Sequence, residues 1–132
     1  MNTKLLRRVA KHISEEPRRF DMGYMTTPLD EIPKRRQPPC GTVACIAGWA
    51  LILSKKAKYN NEEFPVDSNG NQLGAIQAAQ LLQIPNWGTN LFYVDDWPRS
   101  FRAQYTKART AKRRADIAVA RIEHFIKTKG AE

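Results

Sequence analysis

The chain has 132 residues and carries 22 Lys and Arg against 13 Asp and Glu, which gives a formal net charge of +9. Hydrophobic residues make up 42% of the chain. This is enough to form a hydrophobic core, which excludes a globally disordered protein. This length predicts one domain over residues 1–132, and the patterns described below predict that it is helical. Two cysteines are too few for a disulfide scaffold, and no apolar leader follows Met1, so we expect a cytoplasmic protein.

The basic residues are concentrated at the two ends of the chain. Residues 1–58 hold 12 basic and 5 acidic side chains, and residues 97–132 hold 10 and 3. The block between them, residues 59–96, has 5 acidic side chains and no Lys or Arg. If the two ends pack together, their cations form one positive face.

The first predicted element is an amphipathic helix over residues 3–13, with Leu5, Val9 and Ile13 on its inner side. We expect it to end near Glu16, because a proline disfavours the helical conformation of the preceding residue. Residues 18–39 then contain four prolines, which indicates a long surface loop. The basic residues on the outer face of the helix and at the tip of the loop are Arg7, Arg8, Lys11, Lys34, Arg35 and Arg36.

A helix predicted at residues 42–53 should form the centre of the fold. The segment is apolar on every side, so neighbouring elements must enclose it. Its longest apolar run has eleven residues, shorter than the ~20 needed to span a bilayer, and we therefore expect no membrane partner. Ala44, Ala47 and Gly48 give the helix a thin side that another backbone can approach closely.

Turn-forming residues at 67–71 with short apolar flanks can form a small β-hairpin at about 64–73. A short helix over residues 74–82 and a single turn capped by Thr89 follow. Residues 98–128 form either one long helix or two, with inner positions at Phe101, Tyr105, Ala108, Ala115, Val119, Ile122 and Ile126. The predicted fold class is mainly α: a compact bundle of five or six helices around the central helix.

The C-terminal block predicts phosphate-type binding of a nucleic acid, a nucleotide or a nucleoprotein complex. Its candidate contacts are Arg99, Arg102, Arg109, Lys112, Arg113 and Arg114. In one continuous helix Arg99, Arg102, Arg109 and Arg113 would lie roughly on one side, as a stripe of cations. Nothing in the sequence resembles a recognition helix, so we expect contacts to the phosphate backbone.

Two other classes of function stay open. The sequence pattern places Cys40 at or just before the start of the central helix. In a hydrolase or transferase, Cys40 could be a thiol nucleophile with His124 as its base. Two Cys and two His lack metal-ligand spacing, and we expect no metal or cofactor. The third class is a protein–protein adaptor that uses the acidic middle block.

Residues 40–50 read Cys-Gly-Thr-Val-Ala-Cys-Ile-Ala-Gly-Trp-Ala. This motif resembles an uncharacterised family of small bacterial and phage proteins that carry Cys-Gly-Thr-x-x-Cys-Ile-Ala-Gly-Trp-Ala. Residues 91–98 and 121–126 are also similar to that group. The resemblance implies a shared fold and carries no catalytic residue over to this chain. A phage or mobile-element setting would make a counter-defence role plausible by analogy.

Overall fold

The computed structural model describes residues 1–27, 43–55, 65–85 and 89–132. This part of the chain is mainly helical, which confirms the predicted fold class. Its α-helices are α1 (Thr3–Glu15), α2 (Ile46–Leu53), α3 (Ala75–Leu82), α4 (Thr89–Phe92), α5 (Arg99–Lys107) and α6 (Ala111–Lys127). Two 3-10 helices, Pro17–Arg19 and Val94–Asp96, and two short strands, β1 (Thr26–Thr27) and β2 (Val43–Ala44), accompany them.

Helix α2 is the buried central helix that the sequence predicts, but it starts later than expected. Strand β2 occupies residues 43–44 and pairs antiparallel with β1, so these residues are extended. Cys45 then caps α2, with its Sγ accepting a hydrogen bond from the backbone N–H of Gly48. The predicted start at residue 42 is therefore wrong, because pairing with β1 takes up the residues that would form the first turn.

The thin side of α2 is confirmed at Gly48. A Cβ atom built on this glycine would lie only 1.8 Å from the carbonyl oxygen of Met25. The chain entering β1 thus runs directly against the helix, and the backbone N–H of Cys45 donates to the carbonyl of Tyr24 at 2.7 Å. Only a residue without a side chain leaves room for this approach.

Trp49 ties α2 to the N-terminal segment. Its indole N–H donates to the carbonyl oxygen of Arg19 at 3.0 Å, and its ring centroid lies 4.1 Å from that of His12. The Arg19 guanidinium sits 5.1 Å from the same tryptophan ring. Burial, reinforced by the nearby positive charge of Arg19, lowers the pKa of His12 from its ordinary value of 6.5.

Helices α1 and α6 pack against each other in opposite directions. Met1 lies beside Gly130, and further along the pair the Nε of Arg7 is 3.9 Å from Oε1 of Glu123. The 3-10 helix Pro17–Arg19 continues from α1 and contacts α6 as well. The two basic ends of the chain are therefore neighbours in the fold.

The predicted hairpin is present as a short turn with one β-bridge, between Val66 and Gln72. The Asp67 carboxylate accepts hydrogen bonds from the backbone N–H groups of Asn69 and Asn71, both at 2.9 Å. Its flank at residue 64 lies outside the described residues. In the part of the chain that the structure describes, no helix has the length and hydropathy to cross a membrane.

Candidate polyanion-binding surface

The C-terminal segment contains two helices, α5 and α6, with a break at residues 108–110. Ala108 is extended, and Thr110 is the N-cap of α6, where its Oγ1 accepts a hydrogen bond from the backbone N–H of Arg113 at 3.1 Å. Of the two alternatives left open for residues 98–128, the structure shows two helices, so the stripe of four arginines that one continuous helix would give does not form. The break instead gathers the cations around the junction of the two helices.

An open surface depression of about 340 Å³ lies at this junction, and we call it the junction cavity. Its lining consists of Gln104, Lys107, Ala108, Arg109, Thr110 and Arg113. Three of these residues carry a positive charge and none carries a negative one. Arg113 reaches back towards α5, where its Nη2 donates to Oε1 of Gln104 at 3.2 Å. Within the described residues, neither Lys107 nor Arg109 makes an ion pair.

The start of α6 adds to the positive potential of the junction cavity. The helix has 17 residues, and the aligned peptide dipoles place a partial positive charge at its N-terminus. The backbone N–H of Arg113 donates a hydrogen bond to the Thr110 side chain, and the backbone N–H of Arg114 donates to the Thr110 carbonyl oxygen. The nearest acidic residue along α6 is Asp116, which pairs with Lys112 at 3.0 Å. An anion at the junction would thus meet three cations at the positive end of a helix.

The other predicted cations of this block have different environments. Arg99 is exposed, and its side chain has no hydrogen-bonding or ionic partner within the described residues. Arg102 is also exposed, and its Nη1 donates to the carbonyl oxygen of Asp95 at 2.8 Å. Arg114 is half-buried and has its Nη1 3.4 Å from the carbonyl oxygen of Ala108. Arg114 therefore helps to hold the junction together, and Arg102 links α5 to the preceding 3-10 helix. Arg99 is available to a ligand.

The cations of α1 lie on the exposed side of that helix, as predicted. Arg7 approaches Glu123, and Lys11 lies 3.8 Å from Oε1 of Glu15. The Nη2 of Arg8 donates to the carbonyl oxygen of Leu53 at 3.0 Å, at the end of α2. Two of these three side chains thus have a carboxylate close by, which weakens their field compared with the junction cavity. The predicted contacts Lys34, Arg35 and Arg36 lie outside the described residues.

The thiol site that the sequence suggests is only partly described. Cys40 lies outside the described residues, and the N-terminal position expected for it on the central helix belongs to Cys45. Burial raises the pKa of the Cys45 thiol, which is the opposite of what a nucleophile requires. His124 contacts Oε2 of Glu132 through its Nε2 at 3.0 Å and packs against the ring of Phe101.

We predict that Cys45 resists alkylation in the folded protein, because its side chain is almost fully buried and the neutral thiol is favoured. In a Cys40→Ser variant, iodoacetamide at pH 8 should leave the native chain unmodified and should label it fully in urea, as read by mass spectrometry. Rapid labelling of the native variant, at the rate of a free thiol, would contradict the buried environment.

Sequence reasoning overlooked two polar residues of the junction cavity, Gln104 and Thr110, and left Lys107 out of the binding set. The signal for Thr110 is its position before the Ala-Lys-Arg run, which is typical of a helix N-cap and favours the alternative of two helices that the sequence left open. Gln104 carries no such signal, since it meets Arg113 only after the chain has turned.

Comparison of the chain with protein-family models, with curated proteins and with solved structures finds no match. Among the described residues, no group of three or more His, Cys, Asp or Glu side chains could hold a metal ion. The function is therefore inferred from the geometry and charge of the surface itself.

Proposed function

We propose that the protein binds nucleic acid through the phosphate backbone and that the junction cavity is its principal contact. The observation that carries this proposal is the grouping of Lys107, Arg109 and Arg113 around one concave site with no acidic side chain in its lining. Phosphate oxygens are the ligands that such a set of cations prefers in a nucleic acid.

The second support for the proposal is the packing of α1 against α6. It places the basic face of α1 beside the helix that begins at the junction cavity, so a strand leaving the cavity passes further cations. Arg99, exposed at the start of α5, extends the positive surface in the other direction. Because these contacts are made to phosphates, binding tolerates many sequences and weakens steeply as salt is raised.

The proposal is tested by removing two charges from the junction cavity. In an Arg109→Ala/Arg113→Ala variant we expect the affinity for a fluorescently labelled single-stranded oligonucleotide to fall about tenfold for each arginine at low salt. The slope of log affinity against log salt should become shallower by about 0.7 for each phosphate that the variant no longer neutralises. Fluorescence anisotropy at salt concentrations from about 50 to 200 mM measures both quantities.

The matched control is Lys127→Ala/Lys129→Ala, which removes the same formal charge at the far end of α6. Both side chains are exposed, and Lys127 is ~21 Å along α6 from Arg113, about twice the screening length at 0.1 M salt. We expect this control to change the affinity by less than about threefold. Equal losses in the two double variants would show that net charge alone attracts the strand, and a flat salt response of the wild type would refute phosphate binding.

A further inference from the structure

A second concave site lies next to the junction cavity, and we call it the tyrosine groove. It has a volume of about 580 Å³ and is formed by residues 21–23, residues 92–95 and the side chains of Tyr105, Thr106, Ala108 and Arg114. Ala108 lines both sites, so the tyrosine groove and the junction cavity adjoin at the break between α5 and α6. A ligand held in one therefore reaches the other without crossing the core.

The tyrosine groove presents an aromatic surface to solvent. Tyr93 is 50% exposed, although its two neighbours in the chain, Phe92 and Val94, pack into or against the core. The backbone at Tyr93 is extended and caps the start of the 3-10 helix Val94–Asp96, which fixes the position of the Tyr93 Cα atom. An exposed aromatic ring on a fixed backbone is a suitable stacking surface for another planar ring.

The polar groups of the tyrosine groove are suited to the edge of a planar ring. The Tyr105 hydroxyl accepts a hydrogen bond from the backbone N–H of Met22 at 3.1 Å, which leaves its own proton to donate. Burial raises the pKa of Tyr105 to about 12, so the hydroxyl keeps that proton at neutral pH. Arg114 supplies further donors, and the Asp95 carboxylate supplies acceptors.

The charges of the two sites are complementary to the two parts of a nucleotide. The tyrosine groove has the exposed Asp95 carboxylate beside one arginine, so it is less favourable for a phosphate than the junction cavity and favourable for a neutral ring that carries N–H donors. The junction cavity has three cations and no carboxylate, which is favourable for a phosphate. A single nucleotide unit has both parts joined covalently.

We propose that the tyrosine groove binds an unpaired base of the strand whose phosphates occupy the junction cavity, with the base stacked on Tyr93. This inference rests on the proposed function and narrows it to single-stranded nucleic acid, because a base inside a duplex does not offer its face to a side chain. Stacking accepts any base, and the donors and acceptors of the groove add a preference among base edges.

The test compares two ligands on three proteins. The ligands are a labelled single-stranded DNA and an abasic strand of the same length, which keeps the phosphates and lacks the bases. The proteins are the wild type, Tyr93→Ala and Tyr93→Phe, with affinities measured by fluorescence anisotropy at fixed salt. We expect Tyr93→Ala to weaken binding of the normal strand by about 5- to 150-fold and to leave the abasic strand unaffected. Tyr93→Phe, which keeps the ring, should bind both strands like the wild type.

Several outcomes would overturn the base-binding role while the phosphate contacts remain. One is an unchanged affinity of Tyr93→Ala for the normal strand, and another is an equal loss on both strands, which would indicate a distorted junction. Tighter binding of wild type to a duplex than to the single strand would also overturn it. If neither strand binds to the wild type at low salt, the proposed function itself fails, which is a separate result from a Tyr93 effect.

Discussion

Replacing Gly48 with alanine should destabilise the fold by about 3 kcal/mol or more, a large part of the ~5–15 kcal/mol that is typical of a domain. The new Cβ would lie 1.8 Å from the carbonyl oxygen of Met25 and 2.9 Å from the Cβ of Ala44. Neither atom can rotate away, so α2 and the chain entering β1 must separate. The gain in helix propensity from Gly to Ala, about 1 kcal/mol, is too small to offset this.

Urea unfolding followed by circular dichroism measures this loss, and Gly74→Ala is the matched control. Gly74 is the N-cap of α3, and the nearest atom to a Cβ built there is Oε1 of Gln77 at 3.8 Å. The same substitution should cost less than about 1 kcal/mol at this position. If Gly48→Ala were as stable as the control, the close approach of the Met25 backbone to α2 would be wrong.

The second large effect is expected at Arg121, a fully buried residue of α6. Its guanidinium donates to the carbonyl oxygen of Asn90 and, at 2.8 Å, to the main-chain oxygen of Glu132. The rings of Phe101 and Phe125 lie 5.8 and 5.5 Å away, and burial lowers the pKa of Arg121 to about 10. Arg121→Ala removes two charge-assisted hydrogen bonds and leaves a cavity, so we expect a loss of about 3–4 kcal/mol.

Arg7→Ala provides the comparison for Arg121→Ala, because it deletes the same side chain from the exposed face of the neighbouring helix. The Arg7 side chain is 63% exposed and lies 3.9 Å from Glu123, so we expect a change below about 0.5 kcal/mol. Urea unfolding of both variants measures the difference. An Arg121→Ala protein within about 1 kcal/mol of the wild type would show that this guanidinium does not hold the end of the chain in place.

The helical architecture could be predicted because the local signals agree with the final packing. The spacing of Leu5, Val9 and Ile13 marks one buried side of α1, and all three are fully or almost fully enclosed. The uniformly apolar residues after Cys45 similarly require enclosure by other elements. Periodicity and composition therefore recover the elements whose environment is set by their own sequence.

The buried face of α6 could be predicted only in part, with Ala115 and Ile122 buried as expected. The expected inner positions Val119 and Ile126 are only half-buried, while Arg121 and Phe125 are enclosed. An arginine on an inner face contradicts the usual pattern, and it is accommodated only because main-chain oxygens of distant residues accept its hydrogen bonds. Hydrogen bonds to residues that are distant in the sequence do not affect the spacing of the apolar residues, so that spacing does not reveal them.

The candidate site was predicted in composition but not in arrangement. The basic residues of the C-terminal block are evident from the sequence, but their grouping depends on the break at residues 108–110. A continuous helix would place Arg113 about six residues from Lys107 along one axis, ~9 Å apart, instead of around one cavity. The break is set by the extended backbone at Ala108 and by the cap at Thr110.

The most direct test of the phosphate-binding surface is to map the bound strand on the isotope-labelled protein by NMR. During titration with a single-stranded oligonucleotide at low salt, the largest backbone amide shifts should occur at residues 107–114 and fall off along α6. Residues 75–82 of α3 are not part of the proposed surface, so their backbone amide shifts should change little. Shifts centred on α3, or spread evenly over the protein, would contradict the assignment of the junction cavity as the nucleic-acid contact.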